Sequence, residues 1–224
     1  MAADPAIRSA LLDAKRAKIE AEGREALAQA ELTELSLERE RDKREHELAA
    51  NERHRVYVFD TDTSEGAVKK CISQLTTWAR QEAGCPIEVQ INSPGGSIFA
   101  GFALIDFIRD LRDRGHRITM VGLGMVASMA GVLLQAADER VMGQNAFLLI
   151  HEGSLGAIGD FGDVEDRVEL MGLMHERILT LFEDRAKPIN PKTTKTFIRN
   201  RWKRKDWWIT AAAARNLGFV DEVR

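Results

Sequence analysis

The sequence predicts an α/β protein preceded by a long helix. From Arg55 onward, short β-rich runs alternate with helical stretches of ten or more residues, the pattern of parallel βαβ units. The strand candidates end on turn-forming segments such as Asn92-Ser93-Pro94-Gly95-Gly96-Ser97. Residues 6 to about 52 differ from the rest: they hold one glycine, no proline and no aromatic, and are dominated by Ala, Glu, Leu, Arg and Lys, which favour helix.

The N-terminal stretch carries mixed charges with helical neighbours such as Glu20/Arg24, Glu40/Arg44 and Glu34/Glu38/Arg41. Its apolar stripe is thin. Leu12, Ile19 and Ala26 repeat every seven residues, and Ala28, Leu32 and Leu35 follow a four-three spacing, but no heptad is sustained. Residues 1–52 therefore read as a solvated helical extension that packs on partner copies, and residues 53–224 as the α/β domain. In that domain the expected order is strand 56–59, helix 65–83 with Val68, Ile72, Leu75 and Trp78 on one face, and strand 87–91 opened by Pro86. Helix 98–114 ends at Gly115. Strand 117–123, a glycine turn, helix 127–137 and strands 139–142 and 146–151 follow.

Of 224 residues, 44% are hydrophobic and 30% charged, which suits a soluble chain with a real core and excludes a disordered or collagen-like one. The formal charge of −3 gives no global basic field. The basic cluster Arg199, Arg201, Lys203, Arg204 and Lys205, with Trp202, Trp207 and Trp208, lacks any nucleic-acid fold signature and reads as a solvated loop. Residues 118–137 are free of charge, yet Gly122, Gly124, Ser128 and Gly131 interrupt them, which suits buried strand, turn and helix rather than a membrane span. Met1 to Pro5 lack a basic region followed by an apolar core, so no signal peptide is expected. Cys71 and Cys85 read as free thiols of a reducing compartment, hence a cytoplasmic protein. No Cys/His/Asp spacing suggests a metal site, and no cofactor is expected.

Three pieces at strand ends carry chemistry, where an α/β sheet presents its reactive groups. Ser93-Pro94-Gly95-Gly96-Ser97 has paired glycines whose amides turn inward unobstructed, as an oxyanion hole requires. Gly124-Met125-Val126-Ala127-Ser128-Met129-Ala130-Gly131 sets a serine among small residues at the entrance of an apolar helix. His151 closes the apolar run Phe147-Leu148-Leu149-Ile150. Taken singly, each also suits a structural role: a plain glycine turn, a capping serine, a hydrogen-bonded histidine. Together they supply nucleophile, base and oxyanion donors, the minimum set for acyl transfer.

In order and spacing, Ile91 to Ser97, Gly124 to Met129, Ile150-His151 and the terminal Asn216-Leu217-Gly218-Phe219-Val220-Asp221 resemble the proteolytic subunit of the Clp protease (ClpP) family. The resemblance covers about 170 residues, from Glu52-Arg53 to the C-terminus. It implies a ClpP/crotonase-like ββα superhelix with a handle helix over about 163–185. It also implies Ser128 as nucleophile, His151 as general base, the amides of Gly96 and Met129 as oxyanion hole, and Gly95 in the substrate-binding loop. The implied partners are protein or peptide substrates, further copies in a homo-oligomeric ring, and a Clp-type ATPase unfoldase. No nucleic acid and no membrane are implied.

Two departures stand out. Where the family carries its triad aspartate, this chain reads Phe197-Ile198-Arg199-Asn200-Arg201-Trp202, without an acid. Asp206 matches a second family aspartate, just before Trp207-Trp208-Ile209-Thr210-Ala211, so both Asp206 and Asn200 stand as candidates for the third member. The helical extension occupies the place of a short axial loop that gates the family's pore. Divergent chains so extended resemble those encoded by phages and prophages, some of which look like capsid maturation proteases. His175 on the handle reads as solvated or interfacial, His46, His54 and His116 as residues of charged stretches, and segment 153–162 as a flexible stretch after the base. The function expected is a self-compartmentalising serine endopeptidase. Its rivals are a catalytically silent ring subunit and a crotonase-type acyl-CoA hydratase or isomerase, which the Ser128–His151 pairing disfavours.

Overall fold

The computed structural model describes residues 5–47, 54–153 and 158–224, in two units divided between Arg53 and His54. The first unit is helix α1 (Pro5–Glu47), whose 43 residues span about 65 Å at 1.5 Å each. Its described side chains between Lys15 and Lys43 are all exposed. Lys18 pairs with Glu22 at 3.8 Å, whereas Arg24 Nε donates to the main-chain oxygen of Glu20 and not to its carboxylate. His46 and the 52/53 boundary have side chains outside the described residues.

The second unit has an α/β architecture. β1 (Val56–Phe59), β2 (Ile87–Ser93), β3 (Ile118–Ala127), β4 (Glu139–Met142) and β7 (Glu222–Val223) pair in that order, all parallel. β2 buries Ile87, Val89, Ile91 and Ser93, the alternation a strand with one inward face requires. Over it lie α2 (Glu65–Gln81) and α3 (Ile98–Asp113). Val68, Cys71, Leu75 and Trp78 repeat every three or four residues on α2 and are buried with Leu104, Ile105 and Ile108 of α3. Both cysteines are buried free thiols, and burial pushes the Cys71 thiol up to about 12. His116, expected among solvated charges, is buried with Nδ1 3.1 Å from the carbonyl oxygen of Cys85.

The expected glycine turn after residue 123 does not form. β3 continues through Gly122 and Gly124 to Ala127, changing partner on the way: residues 119–122 pair with β4 and residues 125–127 with β5 (Phe147–Ile150). The change is made by a register shift between Ile91 and Ser93 of β2, where the Asn92 side chain accepts from the amide of Met125 at 3.1 Å. Gly124 has φ +57°, and a Cβ there would stand 3.0 Å from Asn92 Oδ1, so glycine lets the strand bend past that side chain. Helix α4 (Met129–Leu134) is accordingly six residues and not the eleven of 127–137. Beyond β5, the chain departs from an all-parallel sheet, because β5 pairs antiparallel with β6 (Trp207–Thr210).

Three helices complete the unit: α5 (Phe161–Ala186), α6 (Lys195–Trp202) and α7 (Ala211–Leu217). α5 is the expected handle, and its buried side chains, Met174 to Ala186, all lie in its second half. Phe161, Val168, Leu170 and Leu173 in the first half are exposed. Among the described residues, no helix is long and apolar enough to cross a membrane.

A buried guanidinium ties the C-terminal segment to the sheet. Arg140 is 1% exposed and donates to Gln135 Oε1 at 2.8 Å, to the Gly218 carbonyl at 2.9 Å and to both oxygens of Asp221. Partial burial would raise the Asp221 pKa, but hydrogen bonds from Arg140 and the charges of Arg140 and Arg185 hold it below the usual carboxylate value. The stability this carboxylate gives is therefore complete above about pH 4 and is lost as pH falls through the depressed value. Asp221→Asn should cost roughly 2 kcal/mol at neutral pH, a fall in Tm of about 4–8 °C. The gap between variant and wild type should close as melts are repeated at pH 4 and below; a gap independent of pH would refute the linkage.

Candidate active site

The loop after β2 is shaped from three sides. Ser93 is buried and its Oγ accepts the amide of Gly95 at 3.2 Å. Thr63, between β1 and α2, donates its amide to the Gly95 carbonyl at 2.8 Å and accepts that of Ser97 at 2.9 Å. Ser97 then caps α3, its hydroxyl accepting from Ala100 at 3.3 Å. Gly95 has φ +90°, and a Cβ there would lie 2.6 Å from the Ala127 carbonyl oxygen, 2.7 Å from Ser128 Cβ and 2.8 Å from the Met129 nitrogen. A Cβ on Gly96 would meet the Thr63 backbone at 2.8 Å. Only a chain without side chains reaches this close to Ser128. Neither the Gly96 nor the Met129 amide makes a hydrogen bond among the described residues, and donors so left open suit an incoming oxyanion.

Ser128 stands between β3 and α4 with φ 54° and ψ −123°, a conformation costly for a residue with a Cβ. Its amide donates to the Leu149 carbonyl at 2.9 Å, and its own carbonyl accepts from Gly131 at 3.0 Å. The hydroxyl makes no capping bond to the helix. It meets His151, whose Nε2 lies 2.7 Å from Ser128 Oγ.

His151 follows β5 directly, and its other ring nitrogen, Nδ1, lies 3.5 Å from Asp206 Oδ1. The pairing of β5 with β6 explains this contact. Ile150 opposes Trp207 in the antiparallel register, so the residues just beyond, His151 and Asp206, fall opposite each other. Asn200, the other candidate, is exposed on α6 and has no hydrogen bond to His151. The basic cluster read as a solvated loop is helix as far as Trp202, with Arg199 paired to Glu176 of α5. Trp202 is buried and, with Ile98, Val132, Ile178 and Phe182, lines a cavity of about 20 Å³ behind His151. His175, expected to be solvated or interfacial, bonds the Glu152 carbonyl and packs 5.7 Å from the Trp202 ring. Residues 154–157 of the segment after the base lie outside the described residues. Sequence reasoning missed Thr63 and Glu152 and the contact of His175: each bonds a main-chain group of a distant segment, which leaves no motif.

Gly95→Ala tests the close approach. A methyl group at φ +90° against three backbone or Cβ atoms should cost on the order of 2–3 kcal/mol, read as a fall in Tm of about 5–10 °C. A melt within 2 °C of wild type would mean that the loop has room to spare.

A family described as Clp protease matches residues 40–224. The ATP-dependent Clp protease proteolytic subunit 1 of Leifsonia xyli subsp. xyli is 31% identical over 173 residues, covering 76% of this chain and 83% of that protein. The ATP-dependent Clp protease proteolytic subunit 3 of Streptomyces coelicolor is 28% identical, covering 75% of each. The corresponding subunit of Bacteroides thetaiotaomicron is also 28% identical, covering 75% of this chain and 74% of its own. With a matching family across all of the α/β unit and the strand-end arrangement described above, the chain belongs to the Clp protease family.

Proposed function

We propose that this protein is a serine endopeptidase that cleaves peptide bonds through an acyl-enzyme on Ser128. The 2.7 Å contact between Ser128 Oγ and His151 Nε2 carries the reading. His151 takes the hydroxyl proton as Oγ attacks the peptide carbonyl, and the oxyanion that forms is met by the amides of Gly96 and Met129. The protonated imidazole then gives its proton to the leaving amine, and a water activated by the same nitrogen releases the acyl group. Asp206, facing Nδ1, fixes the ring and stabilises its cationic form. Gly95 lies beside the nucleophile as part of the substrate-binding loop.

The names of the relatives, ATP-dependent proteolytic subunits, support work within a homo-oligomeric ring fed by an ATPase unfoldase. They favour that setting over capsid maturation for the same chemistry. Exposed apolar residues on the first half of α5 support contacts between copies. A silent ring subunit is the second reading, favoured by the 61% exposure of the Asp206 side chain and its 3.5 Å separation from His151. Contacts of that length commonly tighten once substrate is bound.

A fluorophosphonate probe should label wild type at Ser128 and leave Ser128→Ala unlabelled. Ser128→Ala should keep its melt and lose peptide hydrolysis by about 10³-fold or more. Asp206→Asn should lower kcat by about 10- to 1000-fold, and Asn200→Ala by less than about twofold. An assembled particle that the probe does not label would establish the silent subunit.

We further propose that residues 1–52 and 53–224 are separate parts, the first serving assembly or access. All buried hydrophobic residues among those described lie between Phe59 and Val220. A chain beginning at His54 should therefore melt within about 3 °C of the full protein while changing its assembly in native mass spectrometry. Loss of cooperative melting would overturn the division.

A further inference from the structure

Glu152 joins three elements just after His151. Its carbonyl accepts a hydrogen bond from Nε2 of His175 on α5. Its carboxylate accepts the main-chain N–H of Arg204 at 3.0 Å, across fifty-two positions of sequence. Arg204 lies two residues before Asp206 and has φ +57°, a left-handed conformation that a residue with a long side chain adopts only when something holds it there. Among the described residues, no other side chain bonds the main chain of 203–206. Among the described residues the Asp206 side chain has only its contact with His151, so its place is set by the β5–β6 register on one side and by the turn that precedes it on the other.

We propose that Glu152 is a positioning residue: by fixing the left-handed turn at Arg204, it holds the Asp206 carboxylate against Nδ1 of His151. This rests on the roles of His151 and Asp206 proposed above. The charged and titratable groups around the junction are His151 and Glu152 after β5, His175 and Glu176 on α5, Arg199 on α6, and Lys203, Arg204, Lys205 and Asp206 in the turn. Of these, Glu152 alone bonds the main chain of the turn that carries the carboxylate. Any residue that merely stabilised the fold would change melting without acting through Asp206.

The test is a set of full-length variants assayed on a short fluorogenic peptide, with kcat, KM and Tm measured on the same samples. Glu152→Ala should lower kcat by about tenfold and leave KM within about twofold, since orientation of the base is lost and binding is not. Glu152→Gln retains an oxygen acceptor for the Arg204 N–H and should recover most of that loss. Arg204→Gly in the Glu152→Ala background removes the steric cost of the left-handed turn and should raise kcat by about threefold or more over Glu152→Ala alone. In an Asp206→Asn background, Glu152→Ala should cost less than about twofold further. Independent losses from Glu152→Ala and Asp206→Asn would overturn the proposal, as would a Gln variant as impaired as Ala at equal Tm. If Asp206→Asn lowers kcat and Glu152→Ala does not, Glu152 alone has been misassigned. If Asp206→Asn leaves kcat unchanged, the role of Asp206 falls first and this inference with it.

Discussion

The proposed site depends on one strand being paired on both sides in opposite senses. β5 runs parallel to β3 on one edge, with Ala127 opposite Leu149, and antiparallel to β6 on the other, with Ile150 opposite Trp207. Ser128, His151 and Asp206 are each the first residue beyond the last paired position of their strand. Main-chain hydrogen bonds thus set the relative positions of the three side chains before any of them interacts. This explains why four residues, Phe147-Leu148-Leu149-Ile150, three of them buried, suffice to organise a site drawn from separated parts of the chain. A one-residue slip of β5 would turn its buried side chains outward and carry His151 away from both neighbours.

Space around Ser128 is obtained by removing side chains. Gly95 brings a loop against Ser128, and Gly96 lets the same loop rest on Thr63. Gly124, bent past Asn92, allows β3 to leave β4 and reach β5. Of the three non-glycine residues with positive φ among those described, Arg55, Ser128 and Arg204, the last two lie on either side of the histidine. Backbone strain at such positions is held by the surrounding bonds, here the Leu149 carbonyl for Ser128 and the Glu152 carboxylate for Arg204.

Much of this was legible in the residues themselves. Alternating apolar runs placed β1, β2, β4 and β5, and the spacing of Val68, Ile72, Leu75 and Trp78 placed α2, although the structure buries Cys71 fully and Ile72 only in part. The stretch after residue 123 reads as a glycine turn and is strand instead. Periodicity says where Gly124 occurs, but not that Asn92, 32 residues away, fills the space it leaves. The choice between Asp206 and Asn200 lay beyond local reading for a related reason: it turns on the register of two strands nearly sixty residues apart. Resemblance to the family's motif brought Asn200 into consideration, whereas pairing across the sheet brings Asp206 to the histidine.

That separation also orders events while the chain is made. Strands β1 to β5 close over contacts available once residue 150 has emerged, but β6 begins at Trp207, after the whole handle. Long-range antiparallel pairing of this kind carries a loop-closure cost that is met late in folding. A growing chain therefore exposes serine and histidine well before it can add the carboxylate. The topology acts as a timer, holding the proposed trio incomplete until residues 207–210 have emerged and paired with β5.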